Sequence, residues 1–448
     1  MFADEKKNNR YITRMLKNKF EDSISLAMRK TILIVFPLIY CLLVLIFSKN
    51  IPVGDDYWLL DFLNKFFLTD QPEEKLELLI APHNEHRLIL TKVLSVFLLK
   101  VFGDIDFRYL IFLGNIAFLL GVFHLIRLLS LGAFATPALL IALVMVNPQA
   151  HKLMFYPMAA IQAYFGFFFS ISYIDAVVRD RGCSKSIFFY FLAVISSVSG
   201  VFLSLVGLVF YAYRRRWWLL LVNFVLLVAV VKIYTAGIVN TGPEKIDYFF
   251  SNPHIPIIFF VSLLGVIIQI PQLVFIAGLF LIAGFAWQAQ RDFKSGYQSL
   301  APWKVSLYLL AFYVFLQVGL IAIGRSSLYG DDLSHAALDG RYRIYGLVFA
   351  SLVVVNFFST DMHPHKFFLK QKKWIFSFLI FLGMALFLIG FFVVKHKTEK
   401  RMEGLRLFVV SSDASRLEVF AHDRQAASEI LSTSIRHHIF KPDIRVAQ

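Results

Sequence analysis

The sequence predicts an all-α fold, a polytopic membrane protein with about 11 transmembrane helices in a range of about 10 to 13. Three observations carry that expectation. Hydrophobic residues make up 58% of the 448 and charged residues only 17%, a balance foreign to soluble domains. The apolar residues gather into long uncharged runs, several of them sufficient to cross a hydrocarbon core of roughly 30 Å as a helix. Short Lys and Arg clusters alternate with polar loops between those runs, which is the charge asymmetry that sets membrane topology.

Residues 1–30 hold eight Lys or Arg, Lys6 and Arg14 among them, against four acids. They read as a basic cytoplasmic segment able to lie on the membrane surface as an amphipathic helix. Residues 31–394 form the transmembrane domain, whose first span, 31–48, opens into an outer loop, 49–107. Within that loop 88–102 is short for a crossing and carries Lys92 and Lys100, so it is expected to lie on or dip into the outer face. Spans at 109–129 and 131–146 come next, then the outer stretch Asn147 to Lys152, then a span at 158–178 that ends at Arg179, Arg181 and Lys185. The uncharged run 187–213 would extend roughly 40 Å as one helix, more than a crossing needs. Ser196, Ser197, Ser199 and Gly200 sit at its centre, so two short helices are expected to meet at a polar break that lines a cavity; one long tilted helix is the alternative.

After Arg214, Arg215 and Arg216, the run 217–235 leads outward again. The uncharged stretch 255–290, divided by Pro256 and Pro271, reads as a partial helix at the outer face followed by one crossing. Spans at 305–323 and 344–360 flank a second outer loop, 324–343. The last span, 374–394, leaves 395–448 as a small soluble tail on the outer side. Lys395, Lys397, Lys400 and Arg401 directly after that span run against this placement, because such clusters ordinarily stay in the cytoplasm.

The net charge of +15 sits in short clusters between apolar runs, which fits topology and lipid headgroups and not a nucleic-acid groove. Cys41 and Cys183 are the only cysteines, one inside a span and one in a short loop, so a disulfide framework and redox chemistry have no support. No Gly-rich phosphate loop, Walker sequence or hydrolase elbow occurs. Asp104-Ile105-Asp106 lacks the βαβ context of a sugar-nucleotide site, Asp361 to His365 falls in a cytoplasmic loop, and Asp175 is expected to be held by Arg179.

Chemistry concentrates in the outer loops. Asp55 and Asp56 come directly after the first span, where one carboxylate can take a proton from an acceptor hydroxyl while the other positions it; a solvated pair or a helix cap before Tyr57 is the alternative. His83, Asn84, Glu85, His86 and Arg87 can orient a polyhydroxylated or phosphorylated substrate, with Arg87 meeting a phosphate in bidentate fashion. Asn84 can equally cap a helix, and a divalent cation held by Asp55, His83 and His86 stays open although the spacing is not His-Glu-x-x-His. The second loop brings Arg325, Ser326, Asp331, Asp332, His335 and Asp339, then Arg341, Tyr342 and Arg343. Three Arg and a Tyr at a membrane edge suit a departing lipid phosphate, though snorkelling to headgroups explains them as cheaply. Lys152, Tyr156 and Gln162 form a third outer cluster that would line a substrate.

This layout resembles the GT-C superfamily of integral-membrane glycosyltransferases, especially a bacterial branch with an early Asn-Glu-His-Arg stretch, here Asn84 to Arg87, and a late Arg-Tyr pair, here Arg341-Tyr342. The matching features are the acidic pair Asp55 and Asp56, an outer-face polar helix at His83 to Arg87, a broken span near Gly200, and Arg325, Arg341 and Arg343 in a late outer loop. The resemblance implies a multi-pass protein of the bacterial inner membrane with its active site on the extracytoplasmic face. It implies sugar transfer from a polyprenyl-phosphate carrier to a lipid-linked glycan or other envelope acceptor, with an outer-loop Asp as base and inversion at the anomeric carbon. No Trp-Trp-Asp motif of the oligosaccharyltransferase type is present, so peptide glycosylation is not expected. A flippase or transporter of lipid-linked glycans, and a polymerase or ligase using a polyprenyl-pyrophosphate donor, are the alternatives; transporters favour paired broken helices in two halves, and only one such run is visible.

Overall fold

The computed structural model describes residues 26–83, 86–129, 136–237, 242–294, 296, 300–329, 332–338, 340–359, 366–418 and 424–442. Of the expected surface helix at 1–30, residues 1–25 lie outside them and 26–30 begin the helix Leu26–Phe47. Among the described residues the chain is helical throughout, with two isolated bridges, His83 to His86 and Ile105 to Phe440, in place of any sheet.

Six helices are long and apolar enough to cross a membrane by length and composition: Phe107–Leu128, Pro157–Val178, Trp217–Thr235, Pro271–Lys294, Pro302–Leu328 and Ile380–Ser411. Five shorter apolar helices accompany them, Leu33–Phe47, Cys183–Ser196, Val198–Tyr213, His254–Leu264 and Arg343–Phe358. Trp217–Thr235 buries only 17% of its most apolar window, so most of its Trp, Leu and Val side chains face outward. Water would penalise such a surface; acyl chains would not.

The break expected near Gly200 is present. The Cys183–Ser196 helix stops where Ser197 turns extended, and a tight turn, Val198–Phe202, leads into Leu203–Tyr213. Gly200 lies so close to the end of the first half that a Cβ would meet the backbone of Ala193 at 2.3 Å. The freed groups find partners: the Ser197 hydroxyl accepts from Ser199 N–H at 3.4 Å, and the Gln317 amide donates to the Ser199 carbonyl at 3.1 Å. An apolar setting demands such pairing. The 255–290 run divides as expected into the short helix His254–Leu264 and the long Pro271–Lys294, which cross through Gly265 and Gly278.

Two ends of the bundle differ. At one, Asp175 is held by Arg179 at 2.7 Å and Arg181 at 3.0 Å, and Asp180 pairs with Arg216 at 2.8 Å. At the other lie a connected layer of short helices, Asp56–Leu68, Pro72–Ile80 and Ile89–Phe102, and the end of the chain. The last long helix does not stop at 394: it runs unbroken from Lys366 to Ser411, 46 residues and roughly 70 Å. Beyond Ser411 the tail folds back on the 49–107 layer instead of standing apart as an appendage. Ser434 donates a hydrogen bond to the Asn64 side chain at 3.1 Å, Gly54 N–H donates to the Glu418 carbonyl at 2.9 Å, and Ile105 N–H donates to the Ile439 carbonyl at 2.8 Å. The tail and the first loop therefore share one side.

A Gly200→Ala variant should lower the thermal unfolding midpoint in detergent, by about 1–3 kcal/mol of stability, because the added methyl has only backbone to displace.

Candidate functional site

The site grows from a tight connection between the helix Leu26–Phe47 and Asp56–Leu68. Gly54 takes φ 56°, a conformation open to it for lack of a Cβ, and the next two residues then face different surroundings. Asp56 is fully buried: its carboxylate accepts from Val53 N–H and from Met158 N–H, each at 3.0 Å. Burial pushes its carboxyl well above the ordinary carboxylate range. Asp56 thus ties the first loop to the start of Pro157–Val178. Asp55 stays partly exposed; its Oδ2 lies 3.3 Å from Arg341 Nη1, and its N–H donates to the Tyr156 hydroxyl. Among the described residues no hydrogen bond uses Asp55 Oδ1. The acidic pair therefore splits into a structural member and an available one.

His83 and His86 pair as an isolated bridge where the resemblance implies a helix: each residue's N–H donates to the other's carbonyl, at 2.7 and 2.9 Å. Asn84 and Glu85 lie outside the described residues. The His83 ring stacks on Trp58 with centroids 3.9 Å apart. His86 is enclosed, and burial, then Arg325 and His83, lower its imidazole to about 4. Arg87 does not present its guanidinium to an incoming phosphate. Its side chain donates to the carbonyls of Ile80, Tyr234 and Ala236, clamping the ends of two helices. Lys92 does the same from below: it is fully buried, donates to Leu78 and Ala81 carbonyls at 2.6 and 2.8 Å, and sits 5.0 Å from the Trp58 ring. Burial lowers its ammonium to about 8.

A cavity of about 620 Å³ is linked to this cluster through the second loop. Its floor is basic, formed by His151, Lys152, Arg343 and Lys397. Its wall is apolar, formed by Leu386, Ile389 and Val393 of the last long helix together with Leu328 and Leu338. The broken helix does not line it. His335 and Asp332, paired at 2.5 Å, stand at its rim. Gly340 lets the second loop close on Lys152, where a Cβ would meet the Lys152 side chain at 2.8 Å. Arg341 and Arg343, flanking Tyr342, then reach Asp55 and the cavity from one short segment. Arg325 ends its helix near His86, and Gln162 lies in the π-turn Ile161–Phe165 deeper in its span, away from these contacts. Asp331 and Asp339 lie outside the described residues.

Two neighbours of the site escape the sequence reading. His151 is half-buried with its enclosed Nε2 lacking a hydrogen-bond partner among the described residues, and desolvation followed by Lys397, Arg343, Arg401 and Lys152 lowers it to about 3. Arg401 pairs with Glu418 at 2.7 Å and reaches the Phe155 carbonyl at 3.4 Å. Burial raises the Glu418 carboxyl, but Arg401 and Lys397 outweigh it and hold the group below its usual range. The signal for Arg401 was the basic run after the last span, misplaced for topology; His151 carried no such signal. Among the described residues no three His, Cys, Asp or Glu side chains gather as metal ligands, so Asp55, His83 and His86 do not come together as the cation site that their residue types allow.

Asp56→Asn keeps the shape but turns one acceptor into a donor, so it should cost about 1–3 kcal/mol in unfolding experiments, whereas Asp55→Asn should cost far less. His86 and His151 titrate near 4 and 3 when folded and near 6.5 when unfolded, so the unfolded chain binds more protons in between and acidification from about 6.5 toward 4 destabilises the fold through them. Asp56, raised in the fold, acts with the opposite sign but is common to both proteins compared. The unfolding midpoint of a His86→Gln/His151→Gln variant should fall less steeply over that window than that of the unaltered protein.

A scan against protein-family models matches none of them, and comparison with curated proteins and with solved structures finds no match either.

Proposed function

We propose that the protein is a multi-pass membrane glycosyltransferase that moves a sugar from a polyprenyl-phosphate carrier to a hydroxyl on a lipid-linked glycan or other envelope acceptor. The observation that carries the reading is the short segment Arg341 to Arg343: Arg341 holds the partly exposed Asp55 carboxylate, and Arg343 lines a cavity with other basic groups and with apolar side chains of the last long helix. A phosphate on a long isoprenoid needs both surfaces in one place. The reading takes the loop layer as extracytoplasmic and the apolar helices as about 11 crossings; Arg179, Arg181 and Arg216 at the opposite end support it, while the run from Lys397 to Arg401 stands on the loop side.

In this reading Asp55 Oδ1 accepts the proton of the acceptor hydroxyl while Arg341 holds Oδ2. The freed oxygen pair forms the new bond to the anomeric carbon from the face opposite the phosphate, and the old carbon–oxygen bond breaks with its electron pair leaving on the phosphate. Lys152, Arg343 and Lys397 meet the charge that builds there. Inversion results from attack on the face opposite the leaving group. His151, neutral near pH 7, can donate one hydrogen bond to the same group without adding charge. The number of basic groups around the floor favours a second donor type, a polyprenyl pyrophosphate, for polymerisation or ligation of a glycan.

The test is to incubate the purified protein in lipid with polyprenyl-phosphate and polyprenyl-pyrophosphate sugars and membrane glycolipid acceptors, tracking product by mass. Asp55→Asn should lower transfer by about 10²- to 10⁴-fold with the unfolding midpoint little changed. Transfer that survives this variant at full rate removes Asp55 as the base. Absence of transfer from every donor, with movement of a labelled lipid-linked glycan across the bilayer, replaces the enzyme by a transporter.

A further inference from the structure

Beyond the cavity at Lys152 the same tail encloses a second one, of about 630 Å³, and Lys397 lines both. Its lining carries five basic side chains, Lys397, Lys400, Arg401, Arg416 and Arg424, against the acids Glu403 and Glu418. Glu418 is already taken by Arg401. Lys400, Arg416 and Arg424 are exposed and come from separate stretches: the outward end of the last long helix, the return loop after it, and the start of Arg424–Arg436.

That loop is fixed in place. Gly404 brings the helix against it so closely that a Cβ would meet the Arg416 carbonyl oxygen at 2.5 Å. The Asp413 carboxylate accepts from Ser415 N–H at 2.8 Å, and the Glu418 carbonyl accepts from Gly54 N–H. Like charges are thus held together by backbone packing, at an electrostatic cost that an anion would relieve. The height of the cavity narrows the ligand. Arg401 lies roughly 10 Å along the helix beyond Val394, the last residue of the apolar run, and the headgroup layer on each side is only about 5–7 Å deep.

We propose that this second cavity is an anion site for a phosphate- or carboxylate-bearing sugar, so that the acceptor is an acidic glycan that reaches past the headgroups. Its role as acceptor rests on the transferase reading; the anion site does not. Lys397, shared by the two cavities, sets the donor phosphate and the acceptor acid on either side of one ammonium, and the Glu418 contact to Gly54 carries the second cavity to the Asp55 turn.

The experiment uses the full chain in phosphatidylcholine nanodiscs, titrated with trigalacturonate and with glucose 6-phosphate, and with maltotriose and glucose as neutral counterparts. Both anionic sugars should bind, more weakly as salt is raised, and the neutral ones should not. The exposed-residue variant Lys400→Gln/Arg416→Gln/Arg424→Gln should keep its unfolding midpoint and lose about tenfold or more in affinity for the anionic sugars, while Asp55→Asn binds as before. Equal binding of neutral sugars, or undiminished affinity in the triple variant, overturns the site. Loss of sugar binding when phosphatidylglycerol replaces phosphatidylcholine also overturns it, because the cavity then belongs to lipid headgroups. Anionic-sugar binding by a protein that transfers nothing leaves this site standing and sinks the transferase; transfer to neutral acceptors without anion binding does the reverse.

Discussion

One carboxylate with no access to solvent holds the loop end of the molecule together. Asp56 accepts two backbone N–H groups, one from its own turn and one from the start of Pro157–Val178. A buried carboxyl is costly, and two converging donors are what make the position tolerable. The consequence reaches its neighbour. With Asp56 turned inward and Gly54 at positive φ, Asp55 faces the other way, toward Tyr156 and Arg341, and so meets the segment whose Arg343 lines the cavity.

The same economy governs the other polar side chains of that layer. Arg87 looks like a ligand for an anion in the sequence, yet it and Lys92 use their donors on the carbonyl ends of helices that would otherwise lie unsatisfied near an apolar surface. Gln317 does so for the Ser199 carbonyl at the broken helix. The candidate site narrows to Asp55 with its Arg341 partner and to His151, Lys152, Arg343 and Lys397 of the cavity lining.

Charge at the end of the last long helix serves a different purpose from charge elsewhere. Arg179, Arg181 and Arg216 lie at the end opposite the loop layer and are balanced by Asp175 and Asp180. Lys397 and Arg401 stand with the loop layer itself, where Glu418 answers them. A basic run that contradicts the topology of its neighbours has to be stabilised by something other than topology, and the packing of 413–418 against Gly404 shows how much backbone is committed to holding it.

The amino-acid sequence determined the elements that depend on composition and period alone. Long apolar runs made the helices, the Ser-rich centre of 187–213 made the break at Ser197, and Pro256 and Pro271 divided 255–290 into a short helix and a long one, because these outcomes arise from local hydrogen-bonding needs. Asp175 was legible for the same reason, its Arg179 partner being one helical turn away. The roles within each polar cluster were not legible. Asp55 and Asp56 are chemically identical and adjacent; which one is spent on the fold depends on Met158, about a hundred residues further along the chain. Arg87 was a phosphate ligand until Tyr234 and Ala236 arrived beside it, and His151 and Lys397 became neighbours only when the last long helix packed against the turn at Pro148, where Gly390 leaves room. Contacts between residues distant in the chain decided those, since burial and partners belong to the packed molecule.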